Sequence, residues 1–94
     1  MKVRVTAPAR DDLDGIWDYI ARNNPAAASQ TVYRIRDRFE ILGRQPLLGE
    51  ACEDLQPGLR SFSVLPYVIY YSFLDDQVSI VRVLHGACDV EQLF

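Results

Sequence analysis

The hydrophobic period changes twice along this chain, and that order constrains the fold more than any single motif. Lys2 to Thr6 alternates Val3 and Val5 with charged neighbours, the period-two mark of a short strand. Leu13, Ile16, Trp17, Ile20 and Ala21 then recur at intervals of three and four, forming one stripe of an amphipathic helix whose first turn accommodates Pro8. Ala28, Val32, Ile35, Phe39 and Leu42 form a second such stripe, ending near Gly43. Between the stripes, Asn23-Asn24-Pro25 is a stop and a restart: asparagine tolerates a left-handed cap, Asn24 is placed to cap the next helix, and Pro25 suits its first position. Two helices, near residues 12–20 and 28–42, therefore form an antiparallel hairpin. The second stripe lasts about two heptads, too short for a coiled coil, so its seam belongs to an intramolecular core.

Residues 45–58 read Q-P-L-L-G-E-A-C-E-D-L-Q-P-G, a composition of prolines, glycines and acids that predicts a surface connection. Period two returns in Leu59 to Val64, Tyr67 to Leu74 and Val78 to Leu84, separated by Leu65-Pro66 and Asp75-Asp76-Gln77. Gaps this short make hairpins. The predicted fold is α+β in the order β-α-α-β-β-β, with the helical hairpin on one face of a mainly antiparallel sheet that the first strand joins. Trp17, Ile20, Val32, Ile35, Phe39, Phe62, Ile69 and Val83 are expected in or near the core. Asp89 is placed to cap a last helical turn toward Phe94.

Both faces of that sheet are apolar. Tyr67, Ile69, Tyr71 and Phe73 point one way and Val68 and Tyr70 the other, while the last strand splits Val78, Ile80 and Leu84 from Val81 and Val83. One helical hairpin covers one face, so the second is expected to be open to a partner unless the 45–58 segment and the tail close over it.

The chain has 94 residues, 49% of them hydrophobic. That is one domain, residues 1–94, with enough apolar side chains for a core and against disorder. Ten basic residues against thirteen acidic ones give a net charge of -3, which argues against direct nucleic-acid binding by phosphate neutralisation. Cys52 and Cys88 are too few for a disulfide framework and fit no zinc spacing, so no metal and no cofactor are expected. The charged Met1 to Val5 segment lacks a signal-peptide core, and no apolar run reaches the ~20 residues of a membrane span. A cytoplasmic protein without membrane association is the expectation.

Five segments in this order, Ile16-Trp17-Asp18-Tyr19-Ile20, Asn24-Pro25-Ala26-Ala27-Ala28, Gly58-Leu59-Arg60-Ser61-Phe62, Tyr67-Val68-Ile69-Tyr70-Tyr71 and Arg82-Val83-Leu84-His85-Gly86, resemble the RelE/ParE superfamily of bacterial toxins. The resemblance implies the toxin half of a type II toxin-antitoxin pair, silenced by a cognate antitoxin. RelE-like members cut messenger RNA on the ribosome, and ParE-like members block DNA gyrase. RNA cleavage requires a proton shuttle and cations around the scissile phosphate, which RelE-like toxins supply from strand arginines and lysines and a tyrosine near the C-terminus. Here Val68 stands where such enzymes carry a strand arginine, Cys88 follows His85-Gly86-Ala87 where arginine is common, and the chain ends Gln92-Leu93-Phe94. Residues 47–94 also hold only two arginines against seven acids. The resemblance therefore favours ParE-like gyrase interference without enzymatic activity over a RelE-type endonuclease, with a degenerate toxin that only binds antitoxin as a third reading.

Arg60, Arg82 and His85 are the candidates for any catalytic role, although no nucleophile or carboxylate stands at a fixed spacing from His85. For the antitoxin, Val68 and Tyr70 are the expected apolar anchors on the second sheet face. Arg34, Arg38 and Arg60 offer charge to an acidic segment. Tyr19 and Tyr33 lie off the core stripes, where they suit a protein interface.

Overall fold

A computed structural model describes residues 1–94. Strand β1 (Lys2–Val5) is followed by helices α1 (Ala7–Ala21) and α2 (Pro25–Arg44), then by strands β2 (Glu50–Ala51), β3 (Arg60–Val64), β4 (Tyr67–Leu74) and β5 (Gln77–His85) and a 3-10 turn at Val90–Gln92. The helix boundaries have local causes. Thr6 caps α1 by accepting the Ala9 N–H, and Asn24 Oδ1 caps α2 by accepting the Ala27 N–H at 3.0 Å. Asp89 occupies the cap position of the last turn but makes no side-chain cap bond.

The sheet order is β1-β5-β4-β3-β2. The meander is antiparallel as expected, whereas β1 pairs with β5 in parallel, Val3 opposite Val78 and Val5 opposite Ile80. The helical hairpin carries the chain across one sheet face between β1 and the rest, so α1 packs on β5 and α2 on β1, β3 and β5. Their shared core holds Leu13, Ile35, Phe39 and Leu42 from the helices and Ile69, Tyr71, Val78, Ile80 and Val83 from the sheet. Ile20, Val32 and Phe62 pack at its margin.

Three expectations are corrected. Trp17 is 39% exposed: its indole lies at the outer edge of the hairpin, where Nε1–H donates to Ser29 Oγ at 3.3 Å. Residues 45–58 are not only a connection, because Glu50 and Ala51 pair with Ser61 and Arg60 as a two-residue edge strand. The third correction comes from a bulge in β5. Tyr70 pairs with Arg82 but Tyr71 with Ile80, leaving Val81 as the extra residue. One inserted residue reverses the inward and outward sense of everything after it, so Val83 stands in the main core as expected but with Val78 and Ile80, while Leu84, grouped with those two by simple alternation, turns to the second face with Val81.

The second face is not bare. Leu59, Tyr70 and Leu84 are buried there under Cys52, Leu55, Val90 and Phe94, so the 52–59 segment and the tail close over part of it. Tyr70, expected as an exposed anchor, is only 7% exposed.

Candidate functional site

Strand β5 is longer than its neighbour β1, and the polar groups beyond Val5 find side-chain partners. The Thr6 hydroxyl donates to the Ile80 carbonyl at 2.7 Å, and Asp12 on α1 accepts the Val83 N–H at 2.9 Å. The same carboxylate takes Arg82 in a two-point ion pair, Nε to Oδ2 at 2.7 Å and Nη2 to Oδ1 at 2.8 Å. Planar fork-to-fork geometry of this kind gives the stronger charge-assisted bonds. The bond to Asp12 holds the Arg82 guanidinium above its ordinary range, against an opposing effect of burial.

Arg60 is similarly committed. Its Nη2 donates to the carbonyls of Leu47 and Gly49. Beside it, Tyr71, fully buried, donates its hydroxyl to the Pro46 carbonyl at 2.7 Å and accepts the Gly49 N–H at 2.8 Å. A Cβ on Gly49 would lie 2.6 Å from that hydroxyl and 2.5 Å from the Ser61 carbonyl oxygen, so only glycine fits. Arg60 and Tyr71 together pin the 46–49 segment that delivers β2.

The remaining candidates are scattered. His85 ends β5 exposed, accepts the Ala87 N–H on Nδ1 at 3.0 Å, and meets the edge of Tyr67 with ring centroids 5.6 Å apart. Arg34 donates to the Leu65 carbonyl at 3.1 Å in the β3–β4 turn, while Arg38 on the same helix is half-buried without an ion-pair partner. Val68 is half-buried at the margin of the second-face cluster. Burial pushes the Tyr70 phenol up, aided by the Cys52 and Cys88 thiols, both free. The structure thus does not bring Arg60, Arg82 and His85 together around an open pocket. No group of three or more histidine, cysteine or acidic side chains is placed to hold a metal ion.

The largest concavity is a groove of about 620 Å³ between α1 and the ends of β4 and β5. Ile16, Tyr67, Val83 and Leu84 supply its apolar lining, and Asp11, Tyr19 and His85 also border it.

The profile of the ParE toxin of the type II toxin-antitoxin system parDE matches residues 3–90. This chain belongs to the ParE toxin family. Toxin ParE3 of Caulobacter vibrioides is 39% identical over 82 residues, 86% of this chain and 82% of the relative. Toxin ParE1 of Mycobacterium tuberculosis is 28% identical over 86 residues, 89% of this chain and 88% of the relative, and Toxin RelE2 of C. vibrioides is 36% identical over 77 residues, 81% of this chain and 84% of the relative. Among solved structures, a chain of the toxin-antitoxin complex RelBE2 from M. tuberculosis superposes with a TM-score of 0.62 at 30% identity, covering 93% of this chain and 92% of that one. A chain of the chromosomal ParDE system of P. aeruginosa reaches a TM-score of 0.76 at 24% identity, covering 90% of this chain and 95% of that one, and shows the shared fold. The protein is therefore a type II toxin of ParE type in the α+β fold of the RelE/ParE superfamily.

In this ParE toxin Arg60 and Arg82 bond to the chain itself, through partners that side-chain pattern does not reveal. Asp12 lies on the α1 face next to the apolar stripe and reads as an ordinary solvated acid until β5 is laid beside it. The acceptors of Arg60 are backbone carbonyls, which leave no trace in side-chain identity.

Proposed function

We propose that this ParE toxin arrests growth by interfering with DNA gyrase in the cytoplasm and is held silent by a cognate antitoxin. The observation that carries the first half is the state of the meander's cations. Residues 47–94 contain only Arg60 and Arg82; Asp12 takes Arg82, and the Leu47 and Gly49 carbonyls take Nη2 of Arg60, whose Nε is buried without a partner. A phosphodiester undergoing cleavage needs cations free to meet its developing charge in a pocket, and neither arginine of the meander lines a concavity. The resemblance then favours the gyrase-directed branch over the RNA-cutting one.

Antitoxin neutralisation is supported by the description of the RelBE2 relative as a toxin-antitoxin complex. A disordered antitoxin segment that folds on binding buries at least ~1,000 Å², and the margin of the second face around Val68, with Arg34 and Arg38 as cations, is the surface we assign to it. Tyr70 contributes from beneath as packing. The Val68→Asp variant is expected to lose about tenfold or more in antitoxin affinity while keeping its circular dichroism spectrum; unchanged affinity would remove this face.

Primer extension on messages from cells expressing the toxin tests the branch. Intact messages together with a DNA-damage response are expected. Cuts at codon positions would establish the RelE-type endonuclease instead, and normal growth without antitoxin would establish a degenerate toxin.

A further inference from the structure

Gly15 occupies the middle of α1, where glycine weakens a helix relative to alanine. Nothing inside the molecule requires it: a Cβ built there meets no atom within 4 Å. The groove offers the missing reason, because Gly15 forms part of its wall on α1. A residue without a side chain at such a wall lets another chain approach the helix backbone closely.

The groove also has a charge. Helix α1 carries Asp11, Asp12, Asp14 and Asp18, and among them only Asp12 has a cation, Arg82. Asp11 lies in the groove one turn before Gly15, exposed and without an ion-pair partner. Across an apolar floor stand Tyr67 and His85, and Tyr19, 69% exposed, closes the far end. Apolar floor, exposed aromatic and unpaired carboxylate together fit a segment that inserts an apolar side chain and sets a lysine or arginine beside Asp11.

We infer that this groove is the surface by which the toxin grips its target, taking a basic, apolar-anchored segment of gyrase against the bare backbone at Gly15. The inference rests on the gyrase reading above and deepens it. Its charge argument is general: an enzyme that holds DNA must present cationic surface to a polyanion, and an acidic toxin groove complements such a surface. The antitoxin, by contrast, is assigned to the margin of the second sheet face around Val68. Val68 pairs with Leu84 of the groove lining, so the two surfaces adjoin and antitoxin binding is the control for each groove variant.

Purified gyrase supercoiling and antitoxin binding, both measured on the wild type, Gly15→Arg and Asp11→Lys, test this. Arginine is a good helix former and its side chain fills open groove space. The Gly15→Arg toxin should keep or raise its melting temperature and hold its antitoxin affinity within about threefold, yet need at least about tenfold more protein for half-inhibition of supercoiling. Asp11→Lys alters only an exposed charge and should weaken inhibition, most at low salt. Unchanged inhibition by both variants would overturn the inference. A parallel loss of antitoxin affinity would overturn it too, giving the groove to the antitoxin. A wild-type toxin without effect on gyrase would instead defeat the functional reading itself, and this occupant with it.

Discussion

Asp12 and Arg82 stand 70 residues apart in the chain and meet in a two-point ion pair that also captures the Val83 N–H. The carboxylate is 13% exposed and the guanidinium 26%, so the pair is shielded but not dry. It ties α1 to β5 where β1 no longer covers the strand.

Asp12→Ala leaves the Arg82 charge and the Val83 N–H without their partner and is expected to destabilise the fold by about 2 kcal/mol. Arg82→Ala should cost less, because Asp12 keeps the backbone bond. Denaturant titration of both variants and the double variant checks this. A double-mutant coupling below about 0.5 kcal/mol would mean that the pair behaves as an ordinary surface ion pair.

The Tyr71 hydroxyl satisfies one donor and one acceptor of the 46–49 segment from a fully buried ring. Tyr71→Phe keeps the ring and orphans the Gly49 N–H and the Pro46 carbonyl, at a cost of about 1–3 kcal/mol. Amide exchange at Gly49 should accelerate more than exchange in α1. Uniform acceleration throughout the molecule would contradict a local staple.

Tyr70 carries a pH signature. Burial and the neighbouring thiols raise its pKa from the ordinary 10.0, so the fold favours the neutral phenol. Its contribution to stability is complete below about pH 10 and is lost as pH rises through the raised value. Unfolding midpoints should therefore fall more steeply for the wild type than for Tyr70→Phe as pH rises above about 10. Parallel curves would show that the phenol is not held neutral by its surroundings.

Gly15→Ala should stabilise α1 by about 0.5–1 kcal/mol, read as a higher melting temperature. Space around the added Cβ is open. Destabilisation would show that the glycine serves the fold and not the groove.

Most of the architecture was legible because its signals are local. The Asn24 cap, Pro25 and the two 3.6-residue stripes place the helices, and alternation places β3, β4 and β5 within a residue or two. What escaped depends on residues far apart. The parallel pairing of β1 leaves no mark in its four residues. The bulge at Val81 is invisible in a run of β-branched residues, yet it decides that Val83 faces the core and Leu84 the opposite side. Arg60 and Arg82 stand out in the sequence as strand cations and candidates for a catalytic role. Their use as staples became clear only once the 46–49 carbonyls and Asp12 were in place. The second face was read as apolar, which it is, but its cover of Leu55, Val90 and Phe94 comes from segments too irregular to position by period.

The most direct test of the account is DNA supercoiling by purified gyrase in the presence of the purified toxin. Supercoiling of relaxed plasmid should fall with added toxin and return when the cognate antitoxin is added in equal amount. Undiminished supercoiling at toxin concentrations well above that of gyrase, with messages cut in parallel translation reactions, would contradict it.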